Sequence, residues 1–392
     1  SAAQVEEVSE EVSQLEEPEP VGDPQELPTI IAVMNESFTD MAATSDGNIT
    51  LSQDNLPFLH SLQESGEVVW GTAYSSVYGG NTCNSEYEFL TGNTTAFLPS
   101  GSIPYQQYVL KDTPSLASLL REEGYETRAF HPGELTSWQR NQAYPLLGFD
   151  SFKCGEDMNV PQTMEHGYVS DQSDFEQIIW EFDHKEEGQP LFLFNVTIQN
   201  HGSYTVKDYP AQVQLADQPG KYPMAEQYLT LANKTDEAFK TLVDYFSQCD
   251  EPTIIVMFGD HQPSVEQEFL DKAYGVTQDQ MTMEQYMDKF RVPFVIWANY
   301  PLELEGPQET SLNFLSQYLL SYSGIPTDSY GRFLWSLQDI LPALTFVGYK
   351  DTLGAAYSHL ENNGYTSLIE DYQALQYDRL FGGEDSYFHA QT

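Results

Sequence analysis

Short, continuous apolar runs recur along the chain and alternate with segments of helical periodicity. The runs have the length and composition of strands buried on both faces, and they lie at residues 29–34, 191–196, 253–258 and 292–298. The helical patterns between and around them lie at residues 57–65, 115–123, 171–185 and 225–247. This alternation predicts an α/β fold with a mostly parallel central sheet flanked by helices on both sides.

The two ends of the chain differ from this central pattern. Residues 1–27 are rich in Asp and Glu and contain no Lys or Arg, which predicts an acidic, disordered linker. Residues 28–325 carry the strand and helix pattern and form the expected core. The remaining segment is rich in Tyr and Gly, so we expect residues 326–392 to form a small C-terminal α+β subdomain.

Charge and cysteine content exclude several classes of protein. Lys and Arg total 16 against 60 Asp and Glu, and the formal net charge is -44. A surface of this charge repels nucleic acid, so we expect no nucleic-acid partner. The three cysteines, Cys83, Cys154 and Cys249, are too few for a disulfide framework or a zinc cluster. No apolar run is long enough to span a bilayer, and we expect a membrane anchor in a segment that precedes Ser1.

Polar side chains follow three of the predicted strands. Glu36, His201 and the pair Asp260-His261 all lie just beyond a strand. In open α/β sheets, ligands bind outside the carboxyl ends of the strands. Glu36, Asp260 and His261 together offer oxygen and nitrogen ligands suited to Mn²⁺, Mg²⁺ or Zn²⁺. The alternative is that Asp260 caps a helix and His261 is an ordinary loop residue.

A pair of glycines precedes Thr82 and a helix-like stretch. Backbone amides and the helix dipole at such a position favour a phosphate group. Thr82 is a candidate nucleophile that needs activation by a base or a metal. Cys83 is either a competing nucleophile or a small buried residue. The alternative for Ser85 and Glu86 is a plain N-terminal capping pattern.

A third candidate segment follows the strand-like residues 126–130. It contains His131, Trp138 and Arg140. An Arg side chain can bind phosphate through two parallel hydrogen bonds. The alternative is a surface Arg140 that stacks on Trp138.

These motifs, taken in order, resemble the lipoteichoic acid synthase and phosphoglycerol transferase family, within the sulfatase and alkaline phosphatase superfamily. The motifs are Asn-Glu-Ser-Phe at Glu36, Gly-Gly-Asn-Thr-Cys-Asn-Ser-Glu at Thr82, Ser-Trp-Gln-Arg-Asn at Arg140, Gln-Asn-His-Gly at His201, Phe-Gly-Asp-His at Asp260, and Val292-Pro293-Phe294. The resemblance runs from about Thr29 into the C-terminal region. It differs from the pattern of some relatives at Gly133, where they carry an acidic residue.

The resemblance implies a metal-dependent enzyme. One divalent cation, Mn²⁺ with Mg²⁺ as the alternative, would be held by Glu36, Thr82, Asp260 and His261. Thr82 would also be the nucleophile and form a covalent intermediate. The sulfatases of the superfamily follow their reactive cysteine with Pro or Ala and then Arg. Cys83 lacks that context, which disfavours sulfatase activity.

The resemblance also implies the substrates. His131, Trp138, Arg140 and His201 would surround a phosphoglycerol head group, and His201 would supply acid–base catalysis. The donor would be phosphatidylglycerol or a related glycerophospholipid, and the acceptor a glycolipid, polyglycerolphosphate or a glycan. The enzyme would work at the extracellular face of the cell membrane of a Gram-positive bacterium. The alternatives are a hydrolase of the phosphodiesterase or phosphatase type from the same superfamily, and an inactive binding domain.

Overall fold

An eight-stranded sheet forms the centre of the molecule in the computed structural model, which describes residues 1–388. The strands of the described residues are β1 (Thr29–Asn35), β2 (Val69–Tyr74), β3 (Glu126–Phe130), β4 (Ser151–Lys153), β5 (Met164–Glu165), β6 (Tyr168–Val169), β7 (Leu191–Val196), β8 (Thr253–Gly259), β9 (Arg291–Ala298), β10 (Gln308–Ser311), β11 (Ala343–Leu344), β12 (Tyr349–Lys350) and β13 (Ala356–Tyr357). The central sheet has the order β10-β2-β9-β8-β1-β7-β3-β4.

Helices cover both faces of this sheet. The α-helices of the described residues are α1 (Ala2–Ser13), α2 (Met41–Thr44), α3 (Pro57–Ser65), α4 (Thr82–Thr91), α5 (Pro104–Gln107), α6 (Leu116–Glu122), α7 (Arg140–Leu147), α8 (Asp171–Asp183), α9 (Pro223–Ser247), α10 (Gln267–Tyr274), α11 (Met283–Asp288), α12 (Leu312–Tyr322), α13 (Ser329–Gln338) and α14 (Thr366–Phe381). Within residues 1–388, no helix has both the length and the apolar character needed to cross a membrane.

The predicted mostly parallel sheet flanked by helices is confirmed. Strands β8, β1, β7, β3 and β4 run parallel to one another, as do β10 and β2. Strand β9 runs antiparallel to both of its neighbours, which the apolar pattern alone did not predict.

Alternate residues of the central strands enter two separate hydrophobic cores. In β1, Ile30 and Met34 belong to the core on the α4 and α12 side, whereas Ile31 and Val33 belong to the core on the α8 and α9 side. Because both faces of the strand are covered, its sequence is apolar at every core position rather than at alternate positions. This explains why the central strands appear as unbroken apolar runs.

The structure differs from the predicted disordered linker at residues 1–27. Helix α1 packs on α13 and α14, and Val8 and Val12, one helical turn apart, are buried against Leu375 and Tyr372. The linking segment is also fixed, since the Gly22 N–H donates to the Ser321 carbonyl at 2.9 Å. The composition of this segment indicates that it is acidic. It does not indicate that the rest of the protein offers an apolar surface on which the helix can pack.

Candidate active site

The carboxyl ends of two neighbouring strands bring the predicted metal ligands together. Strands β1 and β8 are parallel and pair in register up to Asn35 and Gly259. Glu36 and Asp260, the next residue on each strand, therefore emerge side by side at one edge of the sheet. His261 follows directly, and a single ligand atom from each of these three residues lies within 4.8 Å of the others.

Thr82 joins this group from the start of helix α4. Its hydroxyl group donates a hydrogen bond to Glu36 Oε2 at 3.0 Å. His261 Nε2 lies 3.1 Å from Asp260 Oδ2 and 3.6 Å from Glu36 Oε1. Four side chains that are distant in sequence thus converge on one point in the described structure.

Two buried atoms of this cluster, Asp260 Oδ2 and His261 Nε2, have no hydrogen-bond partner among the described residues. Buried polar atoms without partners are costly and rare, so such a pair indicates a ligand. Burial raises the pKa values of both Glu36 and Asp260, and the charge of Glu36 raises that of Asp260 further. A divalent cation would offset this repulsion, so the residues present fit a metal site.

Neighbouring groups hold the candidate metal ligands in place. His261 Nδ1 lies 2.9 Å from the Gln262 carbonyl, an arrangement that assigns the proton to Nδ1 and leaves the Nε2 lone pair facing the carboxylates. Asp260 Oδ1 accepts hydrogen bonds from the backbone N–H groups of Ser37 at 2.7 Å and His261 at 2.8 Å. The alternative interpretation, in which Asp260 caps a helix, is therefore wrong.

Hydroxyl groups also fix the backbone of Asp260. The Ser75 and Ser85 hydroxyl groups both donate to the Asp260 carbonyl, each at 2.7 Å. Ser85 therefore links helix α4 to the strand end that carries the candidate metal ligands Asp260 and His261. This contact replaces the capping role that the sequence allowed for Ser85.

The glycine loop leads into helix α4 as its sequence indicates. Asn81 precedes the helix in the left-handed conformation, with a φ of 58°, and its side chain makes no capping hydrogen bond. Thr82 is the first helical residue, so the backbone amides of this turn face the same region as its hydroxyl group.

Cys83 occupies a different environment from Thr82. It is fully buried in the hydrophobic core, and its thiol lies 3.4 Å from Asn84 Oδ1. Burial raises the pKa of this thiol, which keeps it protonated and unreactive. The position favours Thr82 over Cys83 as the nucleophile.

Arg140 lies beneath the site rather than on the surface. It is 2% exposed and bonds to the buried Glu86 carboxylate, with Nη2 at 2.7 Å and Nε at 3.1 Å from Oε2. The hydroxyl groups of Tyr105 and Tyr144 also donate to Glu86. The contacts with Glu86 use Nε and Nη2, which leaves Nη1 for a ligand of the pocket.

Six of the predicted site residues line one pocket of about 420 Å³, together with residues of the glycine loop. These six are Glu36, Thr82, His131, Trp138, Arg140 and His201. Asp260 and His261 lie behind Glu36 and are fully buried. The structure thus brings all eight predicted residues to one site, while their individual roles stay predictions.

Two histidines of the pocket have opposite environments. His131 is buried, its Nδ1 lies 2.7 Å from the Val196 carbonyl, and burial holds its pKa well below the ordinary value. His201 is exposed, and its Nδ1 lies 2.6 Å from the Gly202 carbonyl, which leaves Nε2 for a ligand. His131 is therefore suited to binding a ligand in its neutral form.

The close approach of His131 explains why residue 133 is glycine in this chain. A Cβ atom at this position would lie 2.4 Å from His131 Nε2. Any side chain here would displace the imidazole ring, so the position requires glycine as long as His131 keeps this orientation.

Glu86 is the functional residue that the sequence interpretation missed. Its position four residues after Thr82 places it on the same helical face, one turn further into the protein. Two features of the sequence could have indicated its role. Glu86 is an acidic residue within the motif that contains Thr82, and Arg140 is one of only 16 Lys and Arg residues in the chain.

Comparisons with known proteins agree with this fold and site. The sulfatase family model matches residues 28–323. A protein of Rhizobium meliloti (strain 1021), described as a cyclic beta-1,2-glucan modification protein, is 33% identical over 365 residues, covering 91% of this chain and 55% of that protein.

Two solved structures share the fold. The Streptococcus pyogenes phosphoglycerol transferase GacH in complex with sn-glycerol-1-phosphate has a TM-score of 0.79 at 19% identity, covering 100% of this chain and 96% of that one. The lipoteichoic acid synthase LtaP from Listeria monocytogenes has a TM-score of 0.66 at 17% identity, covering 98% of both chains.

An α/β sheet carries a candidate metal site at its carboxyl edge, and one family model matches most of the chain. The chain belongs to the sulfatase family. It spans about half of the length of the curated relatives it matches, namely 55% and 42% of the first two.

Proposed function

We propose that this chain is a metal-dependent phosphoglycerol transferase that moves glycerol phosphate from phosphatidylglycerol to a hydroxyl group of a glycan. The observation that carries the proposal is the Thr82 hydroxyl group at the pocket wall, hydrogen-bonded to Glu36 beside Asp260 and His261. The glycerol phosphate bound to GacH supports the donor group. The glucan modification described for the Rhizobium meliloti relative supports a glycan acceptor.

The cation belongs to this proposal. Glu36, Thr82, Asp260 and His261 would hold one Mn²⁺, because a mixed oxygen and nitrogen set without thiolates suits such an ion. When bound, the cation supplies positive charge that favours the ionised form of the Thr82 hydroxyl group and of the phosphoryl oxygens.

The chain's own residues account for the first step. Thr82 Oγ1 forms a bond to phosphorus, and the bond from phosphorus to the diacylglycerol oxygen breaks. The Thr82 proton passes to Glu36 Oε2, the atom that already accepts its hydrogen bond at 3.0 Å. The leaving oxygen takes a proton from Nε2 of a protonated His201, so diacylglycerol departs neutral.

The second step reverses these proton transfers. A glycan hydroxyl group gives its proton to His201 Nε2 and forms a bond to phosphorus, while the bond to Thr82 breaks. Thr82 recovers its proton from Glu36. The donor and acceptor steps thus leave all three residues in their starting states.

The remaining pocket residues bind the group that is transferred. In this proposal, Arg140 and the first amides of helix α4 would bind the phosphate oxygens. His131 and Trp138, which line the same pocket, would bind the glycerol portion. We infer that the reaction takes place at the outer face of the cell membrane, near the lipid donor.

An acceptor assay tests this function. The purified chain would be incubated with Mn²⁺ and phosphatidylglycerol labelled in its head-group glycerol, with and without cyclic β-1,2-glucan. We expect label on the glucan and little release to water when the glucan is absent. Parallel reactions with a glycolipid and with polyglycerolphosphate identify the preferred acceptor. Release of glycerol phosphate to water at the same rate with and without acceptors would instead indicate a hydrolase.

A further inference from the structure

A second pocket of about 390 Å³ lies on the other side of the nucleophile loop. Asn81, the residue before Thr82, lines both this pocket and the reaction pocket. Asn84, one helical turn further along α4, also lines the second pocket. Asn81 therefore lies between the second pocket and the reaction pocket, and it directly precedes the residue that we propose carries the glycerophosphoryl group.

The second pocket combines aromatic rings with small neutral polar groups. Tyr78, Tyr286, Phe290 and Phe346 supply the rings, and Asn81, Asn84, Ser76, Thr95 and Ser102 supply neutral polar side chains. The hydroxyl groups of Ser76, Thr95 and Ser102 donate their protons within the protein, so toward a ligand they can only accept hydrogen bonds. Among the lining residues there is no Asp or Glu, although the chain has 60 of them. A sugar ring has an apolar C–H face and a rim of hydroxyl groups, so it matches this combination.

Buried contacts hold the walls of this pocket in position. Glu88 Oε2 accepts hydrogen bonds from the Ser76 hydroxyl group at 2.9 Å and from the Thr95 N–H at 2.8 Å. The Ser76 hydroxyl oxygen in turn accepts a hydrogen bond from the Phe346 N–H at 3.0 Å. Helix α4 thus fixes the turn between β11 and β12 that carries Phe346.

Lys289 supports two of the aromatic rings from behind. Its ammonium group lies 4.4 Å from the ring centre of Tyr78 and 5.5 Å from that of Tyr286. No carboxylate among the described residues forms an ion pair with it. These cation–π contacts hold the rings in place before a ligand binds.

Part of the pocket comes from outside the segment shared with the sulfatase family. The family match ends at residue 323, whereas Phe346 and Val347 belong to the C-terminal segment. The reaction pocket is built entirely from residues before that point. The reaction pocket therefore belongs to the segment that matches the sulfatase family, whereas the second pocket also needs residues of the C-terminal segment.

We propose that the second pocket is the acceptor subsite, which binds a sugar unit of the glycan and presents its hydroxyl group past Asn81 to the glycerophosphoryl group on Thr82. This inference rests on the proposed function and adds where the acceptor binds. It also assigns acceptor selectivity to the C-terminal segment, through Phe346.

Two phenylalanine variants test the assignment on the full chain. Phe346→Ala removes a ring that is 40% exposed in the second pocket, and Phe381→Ala removes a ring that is 51% exposed on α14, outside both pockets. Cyclic β-1,2-glucan would be titrated into each protein by calorimetry. The rate of adduct formation on Thr82 from phosphatidylglycerol would be measured separately.

We expect Phe346→Ala to weaken glucan binding about tenfold, the loss of one aromatic contact, and to lower the ratio of glucan transfer to adduct formation. Phe381→Ala should bind glucan like the wild type. Equal affinity in both variants, or no glucan binding by the wild type, overturns the assignment. Adduct formation that falls in parallel with glucan binding also overturns it. Absence of any adduct in the wild type would refute the proposed function instead, while the binding titration still tests the pocket.

Discussion

We expect the buried ion pair between Glu86 and Arg140 to contribute both to the stability of the fold and to substrate binding. The substitution Glu86→Gln keeps the size of the side chain and a carbonyl oxygen for the tyrosine hydroxyl groups. It removes the charge that Arg140 faces at 2.7 Å and places an amide donor near a guanidinium donor. Arg140 would then carry an unpaired charge while only 2% exposed.

The size of the effect follows from this geometry. Opposite unit charges 2.7 Å apart attract by roughly 6 kcal/mol at an effective dielectric constant of about 20. Part of that attraction is offset by the cost of burying both groups. Removal of one partner leaves the other charge buried without compensation, which typically costs about 3–5 kcal/mol. We expect Glu86→Gln to lower the free energy of unfolding by about that amount and to raise the KM for phosphatidylglycerol.

Urea unfolding and steady-state kinetics measure these effects. The matched control is Asp244→Asn, because Lys240 and Asp244 form an ion pair at 2.6 Å with side chains that are 57% and 58% exposed. The control should change the free energy of unfolding by less than about 1 kcal/mol. If Glu86→Gln were as stable as the control, the ion pair would not be what holds Arg140 beneath the pocket.

Three further predictions concern the metal, the proton donor and the pH dependence of stability. Asp260→Ala should abolish retention of Mn²⁺, and elemental analysis that finds undiminished metal would contradict the ligand assignment. His201→Ala should keep the metal but lose about 10²–10⁴-fold in turnover, the usual contribution of general acid–base catalysis, whereas near-normal turnover would make His201 structural only. Burial raises the pKa of Glu88 from 4.5 to about 7, so the folded state retains a proton that the unfolded state releases. The resulting stabilisation is complete below pH 4.5 and is lost as the pH rises through about 7, on the order of 3 kcal/mol in total. Glu88→Gln mimics the protonated form, so in urea unfolding it should match the wild type near pH 4.5 and exceed it at pH 8; an equal difference at both pH values would refute the argument.

The sequence predicted that Glu36, Asp260 and His261 would lie close together, because strand ends of a parallel sheet meet at one edge. Glu36 and Asp260 are more than 200 residues apart, yet each directly follows an apolar run of the length of a buried strand. Strand pairing then fixes their proximity. The same logic placed Thr82 at a helix N-terminus, since two glycines before a helix-like stretch define such a turn.

Features that depend on distant packing were not predictable in this way. Glu86 follows Ser85 near a helix start, so the local pattern also allowed a capping role, and only the fold brings Arg140 against it. The N-terminal helix α1 was missed because its apolar positions, such as Val8 and Val12, are few and need the surface of α14 to become buried. The antiparallel direction of β9 has no local signal, because direction depends on the path of the preceding connection.

The central claim is that Thr82 carries a covalent glycerophosphoryl group, and peptide mass spectrometry tests it most directly. The protein would be incubated with Mn²⁺ and phosphatidylglycerol without acceptor, quenched and digested, alongside Thr82→Ala and Cys83→Ala. We predict the added mass of a glycerophosphoryl group on Thr82 in the wild type and in Cys83→Ala, and no modification or turnover in Thr82→Ala. A modified Cys83, or a fully active Thr82→Ala variant, would contradict the mechanism.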